Sequence, residues 1–452
     1  MGERHITLVG AGLAGSLLAI YLARRGHRVT VYEWRPDLRS VEVPAGRSIN
    51  LALANRGIAA LAALGLMDDV EKLLIPMRGR MLHDEHGRLE LQAYGQRPHE
   101  VIHSVSRLLL TAVLLDAAEA TGRVRIRFGR RCEAVDLATE TLTLCDGSGG
   151  REDIHFEVVI GCDGVNSSVR EAILEATSGA CGEEPLAHGY KELSIPPAAG
   201  GGFRMEPHAL HIWPRGGYML IALPNLDGGF TVTLFLPHEG EDSFAALSDE
   251  ARLTAFFEAR FPDVSALMPH LAAEFFRHPT GRLGTLRTRP WRVGDRALIL
   301  GDAAHAVVPF HGQGMNCAFE DCSALDACLE RWADDWARAF AEFEALRKPN
   351  AEAIADLSIE NYLEMRSTVR DPKYQWKKAL GFRLEDRHPE RFIPRYSMVM
   401  FHRIPYAEAK RRGVIQDQIL EVLTAGVHDL EDVDYAYADR LIAERLDEIG
   451  EC

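Results

Sequence analysis

A chain of 452 residues is too long for one ordinary hydrophobic core and divides into roughly two or three domains. Its 47% hydrophobic and 26% charged residues exclude a disordered or fibrous chain. The net charge of -15 argues against nucleic acid or an anionic membrane surface as the main partner, and apolar runs stop short of the roughly 18 residues a membrane-crossing helix requires.

The first residues enter a strand at once, leaving no room for a signal peptide. Eight scattered cysteines form no CxxC pair and no His/Cys metal spacing, so the expectation is a reducing, cytoplasmic home and no metal. Ile6–Val9 reads as a buried strand, Leu13 to Arg25 as a helix ended by Gly26, and Arg28–Tyr32 as a second strand. Together they make a βαβ unit with a parallel sheet. The turn inside it, Gly10-Ala11-Gly12-Leu13-Ala14-Gly15, is a GxGxxG fingerprint. Gly10 serves the tight turn, Gly12 lets the backbone approach a pyrophosphate, and Gly15 lets helix and strand pack closely. Leu13 and Ala14 open the helix, whose unpaired amides suit a diphosphate. Glu33 ends the next strand, where it can accept hydrogen bonds from ribose hydroxyls. Alone the fingerprint also suits any glycine turn; in this setting it predicts an adenine dinucleotide, without separating FAD from NAD.

Two more glycine/aspartate turns follow apolar strands. Ile160 to Arg170 carries Asp163 at its tip. Arg296–Leu300 leads into Gly301-Asp302-Ala303-Ala304-His305, then Pro309 to Asn316 and a helix. Either aspartate also suits a plain helix cap. Between these segments, Ala209–Trp213, Tyr218–Leu223 and Phe230–Leu236 read as an antiparallel meander outside the parallel sheet, entered through a loop at Pro196–Gly202. Alternation places Thr231, Thr233 and Phe235 on one side of their strand; in the neighbouring strands Met219, Ile221 and Leu223 share a face, as do Leu210 and Ile212. Such a face suits an aryl ring and suits ordinary core equally. From about Glu320 the pattern is helical, ending in an acid-rich amphipathic tail, Asp429 to Cys452, with no function assigned.

In this order the three turns resemble the FAD-dependent aromatic hydroxylases of the para-hydroxybenzoate hydroxylase type. Longer phrases resemble that family's kynurenine 3-monooxygenase branch: Gly46–Leu53, Met77–Met81, His188–Leu193, Val308–Ala318, Glu360–Tyr362 and Arg391–Met398. The resemblance runs from the first strand to about residue 420. It implies an α/β fold with a Rossmann-like, glutathione-reductase-type FAD-binding domain (1-75, 100-180 and 284-350). It also implies an antiparallel-sheet substrate domain (76-99 and 181-283) and a helical C-terminal region (351-452).

Carried over by the same resemblance, Asp302 binds the ribityl chain of FAD, Asp163 serves flavin and nicotinamide, and Leu51 and Arg107 contact the flavin. Gly312, Gly314, Met315 and Asn316 present amides and a helix N-terminus to the pyrimidine edge, where negative charge develops on reduction. No second fingerprint follows a strand, in keeping with a transiently visiting NADPH. Arg80 pairs with the carboxylate of an amino-acid substrate, Tyr94 and Tyr396 add hydroxyls, and Asn361 contacts the amino-acid end. Phe235, Phe310, His311 and Met365 surround the aromatic ring, together with the sheet-face residues above. Phe310 and His311 are the catalytic candidates, and no side-chain base is identified. Read without the family, Arg80 also suits a surface salt bridge and His311 a helix cap.

The implied activity is hydroxylation of L-kynurenine to 3-hydroxykynurenine with NADPH and dioxygen, by a monomer or homodimer without membrane or nucleic-acid partners. A modified kynurenine or another amino-aromatic acid fits the same residues, and an FAD-linked dehydrogenase or a non-enzymatic binder shares the scaffold. A flavin-dependent halogenase would carry a WxWxIP phrase, which none of the six tryptophans forms. Two positions depart from the family pattern: Arg107 is followed by Leu108-Leu109-Leu110 rather than a polar residue, and Cys162 stands where alanine is usual.

Overall fold

Ile6, Thr7, Leu8 and Val9 are all buried, so the first strand has no solvent face. In the computed structural model, which describes residues 2–40, 50–367, 371–427 and 429–450, that strand lies inside a six-stranded sheet. The order is Arg292–Val293, Ala297–Ile299, Val158–Gly161, His5–Val9, Arg28–Glu33 and Val124–Phe128. Every pairing is parallel except that of the short Arg292–Val293 edge. The helices Leu13–Arg24, Arg107–Ala120 and Gly314–Arg331 bury Leu17, Leu114 and Phe319 in the core shared with this sheet. Strands covered on both faces read as continuous apolar runs, as Val158–Gly161 and Ala297–Ile299 do.

The fingerprint, Asp163 and Asp302 turns all leave the carboxyl ends of neighbouring strands. In open α/β sheets that edge is where ligands bind. Two small antiparallel sheets flank it. One is made by Arg131–Asp136, Thr141–Cys145 and Arg151–His155, the other by Asn50–Leu53, Ile102–Ser106 and Ile75–Met77. Residues 46–49 of the phrase Gly46–Leu53 lie outside the described residues.

A seven-stranded sheet forms the second layer, in the order Gly281–Arg289, Ala180–Ile195, Phe230–Pro237, Met219–Pro224, Leu210–Pro214, Gly79–His83 and Leu89–Ala93. The meander expected from the short turns is its centre. The sheet is mixed rather than wholly antiparallel, because Leu210–Pro214 pairs parallel with Gly79–His83, Leu210 opposite Arg80. The two strands are joined by a long crossover, which permits a parallel neighbour. The strand Gly281–Arg289 also runs across the domain boundary expected at 283/284.

One face of this sheet buries Leu220, Leu234 and Trp213 against Phe257, Phe261 and Phe275 of a helical layer. Period-2 alternation leaves Met219, Ile221, Thr233 and Phe235 on the other face. The helix Trp336–Arg366 then runs past that face, with Pro349 inside it. The helices Pro372–Arg387, Tyr406–Leu423 and Tyr435–Arg445 close the chain around Leu384, Ile419 and Leu441. The acid-rich tail reads from sequence as a solvated amphipathic end; instead Val433, Leu441, Ile442 and Leu446 are buried in that cluster. Among the described residues no helix is long and apolar enough to cross a membrane.

Candidate active site

Glycine is required at two of the three fingerprint positions by the protein itself, and at the third it is not. Gly10 has φ 98°, and a Cβ there would lie 2.5 Å from the Cys162 carbonyl oxygen. A Cβ on Gly15 would lie 2.0 Å from the Gly10 carbonyl oxygen, so this glycine belongs to the helix–strand contact and not to the cavity wall. A Cβ on Gly12 meets nothing within 4 Å. That open approach, beside the first amides of Leu13–Arg24, fits a dinucleotide diphosphate. Glu33 is buried and braces the same turn: its Oε2 accepts from the Ala11 amide at 2.8 Å, and its Oε1 accepts from the Arg35 amide and Nε at 3.0 and 2.7 Å.

Asp163 Oδ2 accepts from the Ser168 amide at 2.9 Å and the residue lines the cavity, but the cap of the helix Ser168–Thr177 is Ser167, whose hydroxyl accepts from the Arg170 amide at 3.0 Å. Burial pushes its carboxyl above the usual range. Asp302 opens the short helix Asp302–His305 and is exposed to the cavity. Beneath it lies a buried network that the sequence reading missed. Asp321 accepts from the Gly301 amide at 3.0 Å, is 2.6 Å from His305 Nε2, and accepts from Arg347 Nε at 2.7 Å. Burial opposes the Asp321 charge, but His305 and Arg347 outweigh it and hold the carboxyl far below its ordinary range. Glu320 extends the network, accepting from Arg347 and from the buried Arg56, each at 2.6 Å. Asp321 is buried where the helix Gly314–Arg331 meets the sheet, and a buried acid in such a contact needs partners.

Gly312 takes φ 64° and ends the short turn Pro309–His311, two residues before that helix begins. Asn316 was expected beside the flavin, but its side chain is turned to the loops. Its Oδ1 accepts from the Ala54 amide at 2.9 Å, and its Nδ2 donates to the Ala52 and Gly312 carbonyls, both at 2.8 Å. It ties the glycine turn to the strand carrying Leu51. A short amide with two donors and an acceptor can satisfy three backbone groups at once.

These elements enclose one continuous cavity of about 2050 Å³, against roughly 300–1,000 Å³ for a site holding a single small ligand. Its wall includes Gly10, Gly12, Leu13, Ala14 and Glu33, together with Asp163, Asp302, Leu51 and Arg107. Gly312, Gly314 and Met315 also line it, as do Phe310 and His311. From the sheet, Leu210, Met219, Ile221, Leu223 and Phe235 contribute an apolar floor. Ile212 shares their face but is wholly buried among Leu82, Met219 and Phe235, and forms core rather than wall.

Arg80, Tyr94, Met365 and Tyr396 also line the cavity. Arg80 is 5% exposed and donates to Glu364 Oε1 at 2.8 Å and to Asn361 Oδ1 at 3.2 Å. Asn361 therefore stands behind Arg80, not on the wall, and its Nδ2 donates to the Phe310 carbonyl at 2.6 Å. Asn361, Glu364 and Met365 occupy one face of the long helix through i, i+3 and i+4 spacing. That spacing was the available signal for Glu364, which the sequence reading did not single out. Burial works against the Arg80 charge, but Tyr396 and Glu364 more than offset it, so the guanidinium holds its proton more tightly than usual.

Three rings stand face to face beside it. His311 stacks on Tyr396 at 5.4 Å and 17°, and Tyr396 stacks on Tyr94 at 5.5 Å and 9°. The Arg80 guanidinium lies 5.0 Å from the Tyr396 ring centre. Burial, helped by Arg80, lowers His311 to about 4, so the imidazole is neutral at neutral pH. The Tyr94 hydroxyl and His311 Nδ1 are buried without a completed hydrogen bond among the described residues. On the apolar side Phe310 lies 4.9 Å from Phe235 and stacks on Tyr362 at 4.0 Å. The arrangement suits a flat ring held between apolar walls, with an anionic tail directed to Arg80.

Residues 3–358 match the family model described as FAD binding domain. A relative from Myxococcus xanthus named kynurenine 3-monooxygenase is 50% identical, over 98% of this chain and 95% of its own. One of the same name from Stenotrophomonas maltophilia is 49% identical, over 98% of this chain and 97% of its own. Among solved structures, 2-methyl-3-hydroxypyridine-5-carboxylic acid oxygenase is similar with a TM-score of 0.65 at 20% identity, covering 82% of this chain and 95% of that one. The p-nitrophenol 4-monooxygenase of Pseudomonas putida reaches a TM-score of 0.66 at 19% identity, covering 85% and 94%. At those identities the two structures speak to the fold.

Proposed function

This chain belongs to the family of FAD-binding aromatic hydroxylases that includes the kynurenine 3-monooxygenases, and from that premise we propose that it hydroxylates L-kynurenine to 3-hydroxykynurenine with NADPH and dioxygen. The observation that carries the substrate is the buried Arg80, which lines the same cavity as the apolar floor and the Gly12 cradle. A cation in that position suits a small aromatic acid and repels an amine that lacks a carboxylate.

When bound, FAD supplies the redox and oxygen-transfer chemistry. The chain's residues would hold it by Gly12, Leu13 and Ala14 at the diphosphate and Glu33 at the ribose. Asp302, Arg107 and the Gly312–Met315 turn would hold the flavin half. Arg80 takes the substrate carboxylate, with Tyr94 and Tyr396 donating hydroxyls. Glu364 and Asn361 fix the angle of the guanidinium. Phe235, Phe310, Leu210, Met219, Ile221, Leu223 and Met365 exclude water around the ring and set its position. Neutral His311 can donate or accept one hydrogen bond at the cavity wall and adds no charge there. An electron-rich aniline is already a competent nucleophile, so no side-chain base is required of these residues.

The proposal extends to a cytoplasmic monomer or homodimer, in keeping with the seven free cysteines among the described residues. Its domains would be the dinucleotide-binding segments 1-75, 100-180 and 284-350, the substrate sheet, and the helical cover 351-452. The test is a panel of aromatic amino acids assayed for oxygen uptake, with mass analysis of products. L-Kynurenine should stimulate NADPH oxidation and gain one oxygen. Stimulation with hydrogen peroxide as sole product would make it an effector instead, and purified protein unable to retain FAD would end the enzyme reading.

A further inference from the structure

Trp34 is 65% exposed, more than any other large hydrophobic side chain among the described residues, and it also lines the cavity. It follows Glu33 directly. The backbone on either side is fixed to the neighbouring strand turn: the Arg130 amide donates to the Glu33 carbonyl at 2.8 Å, and the Gly129 amide donates to the Arg35 carbonyl at 3.1 Å. The Arg35 guanidinium lies 5.8 Å from the Trp34 ring centre and is anchored on Glu33 Oε1 at 2.7 Å. An indole with its face in water, on a rigid stretch of chain and backed by an immobilised cation, is a preformed platform for a flat ring. Arg131 and Cys132, which also line the cavity, follow the turn to which this backbone is bonded.

We propose that Trp34, supported by Arg35, is the stacking platform for the adenine base of FAD, a role that no residue type in the GxGxxG fingerprint supplies. The inference rests on the FAD reading and adds a residue to it. The base is the part of the dinucleotide that lies beyond the ribose, and Glu33 marks the ribose. Only the adenine half is affected; the flavin half would be held by Asp302, Arg107 and the Gly312–Met315 turn.

The experiment measures binding of FAD, ADP and FMN to the apoprotein by calorimetry. Base–aromatic stacking contributes about 1–3 kcal/mol, so Trp34→Ala should weaken both ADP and FAD about tenfold, or about 1.4 kcal/mol, and leave FMN unchanged. Trp34→Phe should retain most of the affinity. ADP and FAD constants for Trp34→Ala within twofold of the unsubstituted protein would overturn the proposal, as would an equal loss for FMN. If the unsubstituted apoprotein bound neither FAD nor ADP, the cofactor reading itself would fall, and that result is distinguishable from the others.

Discussion

Arg80 Nη1 donates to Glu364 Oε1 across 2.8 Å, so the cation proposed to receive the substrate carries its own counter-ion before any substrate arrives. Two of its donors are committed to Glu364 and Asn361, and the remaining N–H groups are what a carboxylate can take. Arg80→Ala should raise KM for L-kynurenine roughly 10- to 150-fold, the equivalent of about 1.5–3 kcal/mol in charged hydrogen bonds. FAD content should not change. Arg80→Lys should rescue little, because an ammonium cannot serve Glu364, Asn361 and a carboxylate together. Steady-state kinetics with the flavin-to-protein absorbance ratio check both; an unaltered KM would refute the assignment.

The fingerprint glycines should separate into two kinds. Gly15→Ala places a methyl 2.0 Å from a backbone oxygen and should yield unstable or insoluble protein. Gly12→Ala meets no protein atom within 4 Å and should fold normally while losing FAD affinity. Circular dichroism and flavin titration on the two variants distinguish a packing glycine from a ligand glycine.

Asp321→Asn strips the charge that His305 and Arg347 share. Breaking one side of a buried ion pair costs about 3–5 kcal/mol. The melting temperature should fall by several degrees. The proportion of bound flavin should fall with it, because Asp321 also holds the Gly301 amide. A melting temperature within one degree of the unsubstituted protein would show the network to be dispensable.

Acidification should destabilise the fold through its buried histidines. His311 and His211 are both lowered to about 4 by burial, whereas an unfolded histidine titrates near 6.5. Between those values the unfolded chain binds more protons, so stability is full above about pH 6.5 and is lost as the pH falls toward 4. The melting temperature should decline across that window. His311→Gln should shallow the slope; an unchanged slope would mean that His311 contributes nothing to it. Arg80, Glu364 and Arg395 are the charged groups that influence His311.

Local chemistry was legible where sequence neighbours act together. The βαβ unit, the fingerprint and the meander each follow from short-range pattern. The alternation that puts Phe235, Ile221 and Leu210 on one face survived into the structure. What could not be read was assembly. Ile212 shares that alternation, opposite Ile221 in the same sheet, but is wholly covered by its neighbours, a matter of which side chains pack on it. Asn316 and Asn361 were placed against ligand, whereas both spend their amides on backbone carbonyls contributed by distant chain segments. Glu364 and Asp321 escaped notice because a buried acid on a helix looks like a solvated one until its partners are known. Trp34 was passed over because one exposed aromatic after a strand carries no pattern.

The strands that carry the three turns are neighbours in space but not in time. His5–Val9, Val158–Gly161 and Ala297–Ile299 lie side by side, and Asn316 locks the last turn in place. A ribosome releases the glycine fingerprint first and its neighbours long afterwards, so a nascent chain has no finished pocket until synthesis is well past Asn316. Flavin uptake is therefore expected late in synthesis, and chains terminated before Asn316 should be colourless.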